Sequence, residues 1–121
     1  MPGSQMLQTY LRRFRERFEP ALKTYLTLKI KDLRQIDPMA GTIASITRDF
    51  ILQGGKRLRA ALVAIGYRSI EGEEPDAILQ PAIATELLHT FFLIHDDVID
   101  RSSLRRNNPT VHQVFRRFFA D

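Results

Sequence analysis

The chain has 121 residues, of which 44% are hydrophobic and 26% are charged, and it contains no cysteine. This composition excludes a disordered chain, a disulfide-rich domain and a thiolate metal site, and the length allows one domain at most or part of one. The net charge of +4 is concentrated in residues 1–34, which carry eight Lys and Arg against three Asp and Glu. A solvated helix face explains this basic segment, and nucleic-acid or membrane-surface binding are the alternatives.

Targeting signals and large apolar spans are not recognisable in the sequence. We find no signal peptide and no apolar span of 18 residues, so we expect a cytoplasmic protein without stable membrane insertion. A nucleic-acid partner is not expected, because the arginines of the first helix are distributed around it rather than along one stripe. These arginines are Arg12, Arg13, Arg15 and Arg17.

Apolar residues recur at helical spacing through most of the chain, and no strand pattern stands out. The first stripe consists of Leu7, Leu11, Phe14 and Phe18. Pro20 follows, and it must kink this helix or start a second one. Asp37-Pro38 is a typical helix start, and Gly54-Gly55 is a typical helix end. The sequence therefore predicts one kinked helix or two helices before residue 37 and a further helix before residue 54.

Three more helices are predicted in the second half of the chain. The first covers about residues 56–69, and its inward side chains are expected to be Leu58, Leu62 and Ile65. The next is a central helix from about Pro81 to Ser102, and the last runs from Pro109 to Phe119. The central helix is apolar nearly all round, which predicts that protein surrounds it. The predicted fold class is all-α, an antiparallel helical bundle around a buried central helix.

Three carboxylates, Asp96, Asp97 and Asp100, end the central helix. Residues three and four apart share a helix face, so these like charges repel each other unless a cation lies among them. Mg²⁺ prefers oxygen ligands and usually binds one or two carboxylates together with substrate phosphates, which suits Asp96 and Asp100 with Asp97 in support. An EF-hand is excluded, because the glycine and glutamate of that loop are missing. The alternative is a solvated acidic helix end paired with Arg101 and Arg105.

Two groups of basic residues suggest phosphate binding. Arg105-Arg106 follow the third carboxylate, and guanidinium groups bind phosphate oxygens through paired hydrogen bonds. Gly54-Gly55 precede a helix whose first residues are cationic, and exposed amides at a helix start also attract anions. Lys56 and Arg59 share a face of this helix, whereas Arg57 points elsewhere. The alternatives are arginines that neutralise the aspartates and a helix cap followed by surface charges.

Three further side chains accompany the aspartates on the central helix. His89 lies seven residues before Asp96 on the same face, which suggests phosphate binding, although a lone histidine on a helix is usually structural. Phe92 lies one turn before Asp96 and could form the floor of an apolar pocket. Phe91 projects to the opposite side, where core packing is the alternative.

Together these residues resemble the trans-type isoprenyl diphosphate synthases, also called polyprenyl synthetases. The family's GGKRxRP motif matches residues 54–60, with Ala60 replacing the usual proline. Its E-L-x-H…H-D-D-x-x-D…R-R…P-T-V-H block matches residues 86–112. The resemblance implies the isoprenoid synthase fold, and residues 1–121 would be the N-terminal part of a single domain of this fold, containing its first helices only.

The resemblance also implies a Mg²⁺-dependent prenyltransferase that joins isopentenyl diphosphate head-to-tail to an allylic diphosphate and releases diphosphate. Asp96 and Asp100, assisted by Asp97, would bind Mg²⁺ that bridges to the allylic diphosphate and stabilises the leaving group. Arg105 would hold the same diphosphate. The residues that would hold isopentenyl diphosphate are Lys56, Arg59, His89 and Arg106.

Product length and completeness follow from the same resemblance. Aromatic residues four and five positions before the first aspartate limit product length in the family, and Phe92 and Phe91 occupy both, which implies a short-chain (C15–C20) product. Full-length members are expected to be homodimers with a second aspartate-rich motif. Asp121 is the only acidic residue after Asp100, so we expect an N-terminal portion that is inactive alone. The alternative is a non-catalytic subunit of a heteromeric prenyl synthase or a helical interaction module.

Overall fold

Helices form nearly all of the regular structure in the computed structural model, which describes residues 2–120. They are α1 (Pro2–Ile36), α2 (Pro38–Leu52), α3 (Leu58–Glu71), α4 (Leu79–Ile99) and α5 (Val111–Phe119). One turn of 3₁₀ helix (Asp76–Ile78) precedes α4, and the short strands β1 (Leu104–Arg105) and β2 (Asn108–Pro109) separate α4 from α5. The all-α prediction is confirmed, and Asp121 lies outside the described residues.

Helix α1 continues through Pro20, so a second helix does not begin there. Five apolar residues at steps of four are buried, and these are Phe14, Phe18, Leu22, Leu26 and Ile30. A helix brings such positions to one side. Burying each of these side chains contributes about 1.5–3 kcal/mol, which together outweighs the cost of about 3 kcal/mol for a proline inside a helix. Leu7, which belongs to the predicted stripe, is 51% exposed.

Both predicted boundaries of α2 are confirmed. The Met39 amide donates to Oδ1 of Asp37 at 2.7 Å, and Pro38 occupies the first helical position. This cap satisfies one of the amides that a helix start leaves without a partner. Beyond the end of the helix, Gly54 and Gly55 adopt φ angles of 114° and 147°, which only glycine takes readily.

Gly41 allows α2 to approach the end of α1 closely. A Cβ atom at this position would lie 2.7 Å from Cβ and 3.0 Å from Cα of Arg34. Gly66 in α3 offers a contrast, because a Cβ atom there would meet nothing within 4 Å. Helix packing therefore requires glycine at position 41 and not at position 66.

Helix α3 buries small residues rather than leucines. Its buried side chains are Ala60, Ala61 and Ala64. Leu58 is 45% exposed and Leu62 is 63% exposed, so the inward orientation predicted for these two residues is wrong, whereas Ile65 is partly buried. The three alanines are at helical spacing from the buried Arg57, so they lie on the same side of the helix as this arginine. The ion pairs of Arg57 keep this side turned inward.

Helix α4 is apolar nearly all round, as predicted, but the described chain covers only one side of it. The buried residues are Ala82, Ile83, Glu86, Thr90 and Asp97. Leu88 is 56% exposed, Phe92 is 54% exposed and Ile99 is 74% exposed. The expectation that protein surrounds this helix therefore holds for a single stripe.

Within residues 2–120, the stretch Asp76–Ile99 is the one helical segment long and apolar enough to cross a membrane by length and composition. Its best 18-residue window has a mean hydropathy of 1.5, and 28% of that window is buried. The prediction that no such span exists is wrong, because Glu86 is the only Asp, Glu, Lys or Arg between Asp76 and Asp96. Core helices of soluble proteins share these properties, so the absence of membrane insertion stays a prediction.

The described chain divides into two compact units. The first contains the residues up to Tyr25 together with Gly55–His89, and the second contains Leu26–Gly54 together with the residues from Thr90 onward. In the second unit α2 packs against α5. Helices α1 and α4 each contribute residues to both units, and the assignment of the whole chain to a single domain stays a prediction.

Strands β1 and β2 form a small antiparallel hairpin that was not predicted from the sequence. Arg105 pairs with Asn108, and the two residues between them, Arg106 and Asn107, have φ angles of 52° and 63°. Two successive positive φ angles are typical of the type I′ turn that joins such hairpins. Strands of two residues are too short to show an alternating pattern, so periodicity did not indicate them.

Candidate functional site

The three predicted metal-binding aspartates lie at the C-terminal end of α4 and differ in exposure. Asp97 is 3% exposed, whereas Asp96 and Asp100 are both exposed. The amide of Asp100 donates to the carbonyl of Asp96 at 2.9 Å, so the helical turn extends to the third aspartate. Asp96 and Asp100 are therefore the two carboxylates that solvent or a ligand can reach, one turn apart.

A left-handed residue ends α4 directly after Asp100. Arg101 has a φ of 56°. The amide of Ser102 donates to the carbonyl of Asp97 at 2.9 Å, and the amide of Arg101 donates to the carbonyl of Val98 at 3.2 Å. These two bonds make a Schellman motif, which usually has glycine at the left-handed position. The motif satisfies the last carbonyls of α4 and fixes the backbone of the aspartate cluster.

Arg105 holds Asp97 through two parallel hydrogen bonds. Its Nε donates to Oδ2 at 2.9 Å and its Nη2 donates to Oδ1 at 2.8 Å. The side chains are 28% and 5% exposed respectively, so the pair is largely removed from water. The hydrogen bond to Asp97 raises the pKa of Arg105, and partial burial opposes this effect. This pair of hydrogen bonds, called the fork below, occupies two of the five N–H donors of the guanidinium group and leaves three for a ligand.

Among the described residues, no three His, Cys, Asp or Glu side chains come together as a metal-binding group. At the end of α4 both carboxylate oxygens of Asp97 accept hydrogen bonds from Arg105. Asp96 and Asp100 remain. Two carboxylates combined with substrate phosphates are a usual ligand set for Mg²⁺ in proteins. The residues present therefore fit a Mg²⁺ ion shared with a diphosphate better than a site built from protein ligands alone.

Thr110 connects the start of α5 to the segment that follows α4. It is completely buried. Its Oγ1 donates to the carbonyl of Ser102 at 2.9 Å, and its amide donates to the carbonyl of Ser103 at 3.1 Å. These bonds close the base of the hairpin that carries Arg105. Sequence reasoning did not single out this residue, since a threonine before a helix ordinarily indicates a cap.

Arg106 occupies the turn of the same hairpin and contacts the glycine pair. Its Nη1 donates to the carbonyl of Gly54. Both residues belong to the second unit, so the contact joins the hairpin turn to the loop after α2. A backbone carbonyl thus orients the guanidinium group that was predicted to bind phosphate.

In the first unit, Arg59 and His89 lie together. Nη1 of Arg59 is 3.3 Å from Nε2 of His89. A guanidinium group has no acceptor, so this contact is a hydrogen bond in the tautomer whose Nε2 accepts. Lys56 is exposed in the same unit. The structure thus brings together two of the residues that were predicted to bind isopentenyl diphosphate.

Arg57 is the buried member of residues 54–60, called the glycine-lysine-arginine motif below, with 4% exposure and a φ of 58°. Its Nη1 donates to Glu86 at 2.8 Å, and its Nε and Nη2 donate to Glu19 at 2.6 Å and 3.3 Å. Burial lowers the pKa of Arg57, but the hydrogen bonds to the two carboxylates outweigh it, so the pKa is raised. Arg57 points away from its exposed neighbours, as predicted. Its partners were missed, although a single glutamate inside an apolar run was an available signal.

Phe91 and Phe92 form a half-exposed aromatic surface one turn before the aspartates. They are 52% and 54% exposed. Their ring centroids are 5.6 Å apart in an edge-to-face arrangement, and the ring of Phe91 lies 4.2 Å from that of His95. The surface offers apolar contacts next to Asp96, and the role of the two rings in product length stays a prediction.

Known proteins resemble this chain over most of the region described above. The family described as polyprenyl synthetase matches residues 41–119, a range that includes every predicted site residue. A geranylgeranyl diphosphate synthase of Methanosarcina mazei is 42% identical over 66 residues, which cover 54% of this chain and 20% of the relative. A short chain isoprenyl diphosphate synthase of Methanocaldococcus jannaschii is 31% identical over 100 residues, which cover 83% of this chain and 27% of the relative.

A geranylfarnesyl diphosphate synthase of Aeropyrum pernix is 41% identical over 87 residues, which cover 71% of this chain and 27% of the relative. The chain thus spans between 20% and 27% of the length of these three relatives. No solved structure matches the chain significantly.

Proposed function

Because the chain belongs to the polyprenyl synthetase family, we propose that it carries metal-binding and diphosphate-binding residues of a short-chain prenyl diphosphate synthase. The proposed reaction condenses isopentenyl diphosphate with an allylic diphosphate to a C15–C20 prenyl diphosphate. The Methanosarcina mazei relative, a geranylgeranyl diphosphate synthase, supports this product class, because the geranylgeranyl group is a C20 chain. The observation that carries the proposal is the exposed pair Asp96 and Asp100 beside a buried Asp97 that Arg105 already holds.

For the allylic substrate, Asp96 and Asp100 are the proposed ligands of Mg²⁺, and Asp97 is a positioning residue. A bound Mg²⁺ ion supplies Lewis-acid stabilisation of the diphosphate leaving group. Arg105, which the fork orients, donates its remaining N–H groups to the same diphosphate. The allylic C–O bond breaks, its electron pair leaves with the diphosphate, the isopentenyl double bond attacks the carbocation, and a proton is lost to form the new double bond.

For isopentenyl diphosphate, the proposed binding residues are Lys56, Arg59, His89 and Arg106. The contact between Arg59 and His89 supports this assignment, because it brings two of these side chains together. The carbonyl of Gly54 orients Arg106 in a similar way. Phe91 and Phe92 are proposed to limit product length, since their exposed rings present bulk beside the first aspartate.

Calorimetric titration with geranyl thiodiphosphate, an allylic diphosphate analogue, tests the proposal. Asp96→Asn and Asp100→Asn should each weaken Mg²⁺-dependent binding by about tenfold or more, because each removes one of two charged ligands. Asp49→Asn is a matched control, since Asp49 is also a helical aspartate of the second unit with an exposed side chain. Undiminished binding in both site variants would contradict the metal assignment.

The exposed apolar residues of α4 favour a second candidate, a non-catalytic subunit of a heteromeric prenyl synthase or a helical interaction module. Leu88 and Ile99 are both more than half exposed, and exposed apolar surface of this kind marks association sites. Light scattering of the chain mixed with an intact short-chain synthase tests this candidate. If a mixed species forms, its rate of prenyl diphosphate synthesis is then measured with this chain unchanged and with Asp96→Asn. An unchanged rate favours the non-catalytic subunit, whereas a reduced rate favours the enzyme.

A further inference from the structure

Helix α5 (Val111–Phe119) separates its apolar side chains from its basic ones. A helix turns by about 100° per residue, so all five apolar residues of α5 fall on one side of it. These residues are Val111, Val114, Phe115, Phe118 and Phe119. Arg116 and Arg117 lie just beyond the two edges of this side, one on each flank. Helix α5 is therefore basic and amphipathic.

The apolar side of α5 is covered at its start and open at its end. Helix α5 packs against α2, and Val111 is 3% exposed. Phe118 and Phe119 lie on the same side about two turns later and are 61% and 45% exposed. The described chain therefore covers only the first part of the apolar side and leaves aromatic surface at the last turn.

The aromatic rings at the last turn form one surface. The ring centroids of Phe115 and Phe119 are 6.2 Å apart in a stacked arrangement, and those of Phe118 and Phe119 are 5.0 Å apart in an edge-to-face arrangement. Aromatic pairs at these distances attract each other. A single exposed ring needs no explanation, whereas a contiguous aromatic surface indicates an interaction site. These three phenylalanines are called the aromatic end below.

The charge near the aromatic end is positive. Residues 101–120 contain five arginines and no Asp or Glu. Within residues 2–120, neither Arg116 nor Arg117 forms an ion pair. Two copies that met through the aromatic end would bring four guanidinium groups together, and these like charges would repel each other. The charge therefore favours an anionic partner with an apolar layer, which is the chemistry of a bilayer that contains anionic lipids.

We propose that the aromatic end of α5 docks on the surface of an anionic phospholipid bilayer. Phe118 and Phe119 enter the boundary between headgroups and acyl chains, while Arg116 and Arg117 reach the phosphates from the two flanks. Helix α5 has nine residues, a length of about 14 Å, so it lies on the bilayer and does not span its core of roughly 30 Å. This docking does not depend on the proposed reaction, since none of these residues is assigned to a substrate.

Cosedimentation with vesicles of equimolar phosphatidylcholine and phosphatidylserine tests the docking. Arg116→Gln/Arg117→Gln should weaken binding by about tenfold or more, because each arginine near an anionic surface strengthens binding about fivefold. Phe118→Ser/Phe119→Ser should weaken it by a similar factor of about ten, because the apolar contact is lost. Lys31→Gln/Arg34→Gln removes two exposed cations of the same unit outside α5 and is the matched control. An equal loss in the control, or equal binding to pure phosphatidylcholine vesicles, would overturn the proposal.

A tryptophan probe shows whether the aromatic end enters the bilayer. The chain contains no tryptophan, so Phe118→Trp creates a single indole fluorophore at this position. Its emission should shift to shorter wavelength when the anionic vesicles are added, because the ring leaves water for the headgroup boundary. Tyr67→Trp in the first unit is the control and should not shift. An unshifted emission from vesicle-bound Phe118→Trp would mean binding by charge alone and would overturn the proposal.

Further measurements test other occupants of the aromatic end. Light scattering without vesicles should show no association that Phe118→Ser/Phe119→Ser abolishes, and such an association would assign the surface to a second copy. Tighter binding of a single-stranded oligonucleotide than of vesicles, lost in the α5 arginine variant, would assign it to nucleic acid. The α5 variants should bind the allylic diphosphate analogue as the original protein does, so failure of the docking and failure of the proposed function are seen separately. Circular dichroism checks that each variant keeps its helical content.

Discussion

The fork between Asp97 and Arg105 predicts that stability and ligand binding can be separated by mutation within one aspartate motif. Asp97→Asn preserves the size of the side chain but replaces one carboxylate oxygen with an NH₂ group that faces a guanidinium N–H. Asp96→Asn and Asp100→Asn remove carboxylates that are exposed. The first change should therefore affect folding, and the other two should affect binding of Mg²⁺ and diphosphate.

The size of the folding effect follows from the geometry. Hydrogen bonds to charged groups contribute about 1.5–3 kcal/mol each, and the fork contains two, of 2.9 Å and 2.8 Å. Water can replace part of this hydrogen-bond stabilisation for Arg105, whose side chain is 28% exposed. We expect Asp97→Asn to lower the free energy of unfolding by about 2–3 kcal/mol. Arg105→Met should cost about 3 kcal/mol, because it deprives a carboxylate with 5% exposure of its cation.

Urea denaturation followed by far-UV circular dichroism measures these differences, and an unchanged slope with denaturant shows that the comparison is valid. Asp96→Asn and Asp100→Asn should stay within about 0.5 kcal/mol of the original protein. Titration with the allylic analogue then gives the binding effect under conditions where every variant is folded. An Asp97→Asn variant that is as stable as the original protein and loses binding as strongly as Asp96→Asn would refute the separate roles of the two aspartates.

Variants outside the aspartate motif test other contacts. Arg57→Met should lower the free energy of unfolding by about 2–4 kcal/mol in urea denaturation, because the buried Glu86 loses a cation that donates to it. In thermal denaturation Gly41→Ala should destabilise by about 1–2 kcal/mol, since its Cβ would lie 2.7 Å from an α1 side chain. Gly66→Ala should stabilise by about 0.5–1 kcal/mol. Burial and a carboxylate hydrogen bond raise the pKa of Tyr10, so stability should fall as pH rises above about 10, and Tyr10→Phe should weaken that dependence.

Each of these expectations has a clear contrary outcome. An Arg57→Met variant as stable as the original protein would mean that its ion pairs contribute nothing. Equal effects of the two glycine substitutions would show that the close approach of α1 and α2 is unimportant. For Tyr10 the sign follows from its acid equilibrium, because the folded protein keeps the phenolic proton at pH values where the unfolded chain loses it. A stability curve with the same alkaline slope after Tyr10→Phe would contradict this reasoning.

Local sequence signals predicted the helices and the start of α2 correctly. A cap and a proline act within one turn, so Asp37-Pro38 determine the start of α2 with little help from the rest of the chain. Pro20 was ambiguous, because the cost of a proline inside a helix is local whereas the buried stripe that outweighs it spans many residues. The hairpin at Arg106-Asn107 was missed, since neither residue is a glycine although both φ angles are positive.

Tertiary contacts decided the features that periodicity predicted wrongly. In α3 the leucines were expected to face inward, but Arg57 and its two carboxylate partners turn the alanine side toward the unit. Periodicity assigns apolar faces by hydrophobicity alone, and it assigns no weight to an ion pair that two distant glutamates complete. In α4 the all-round apolar pattern was read correctly, but burial depends on how much protein is available to cover it.

The motifs therefore contain two kinds of charged residue, and only the structure separates them. In the glycine-lysine-arginine motif Arg57 is used by the fold, through Glu86, and its exposed neighbours Lys56 and Arg59 remain for a ligand. In the aspartate motif Asp97 is used by the fold, through Arg105. Each motif thus contains a charged residue that an ion pair within the fold already uses, and the assignment of Asp97 as a metal ligand stays a prediction. If a divalent cation binds the two exposed carboxylates, as proposed above, their charges balance, and a diphosphate bound beside it would need its counter-charge from arginine and lysine side chains.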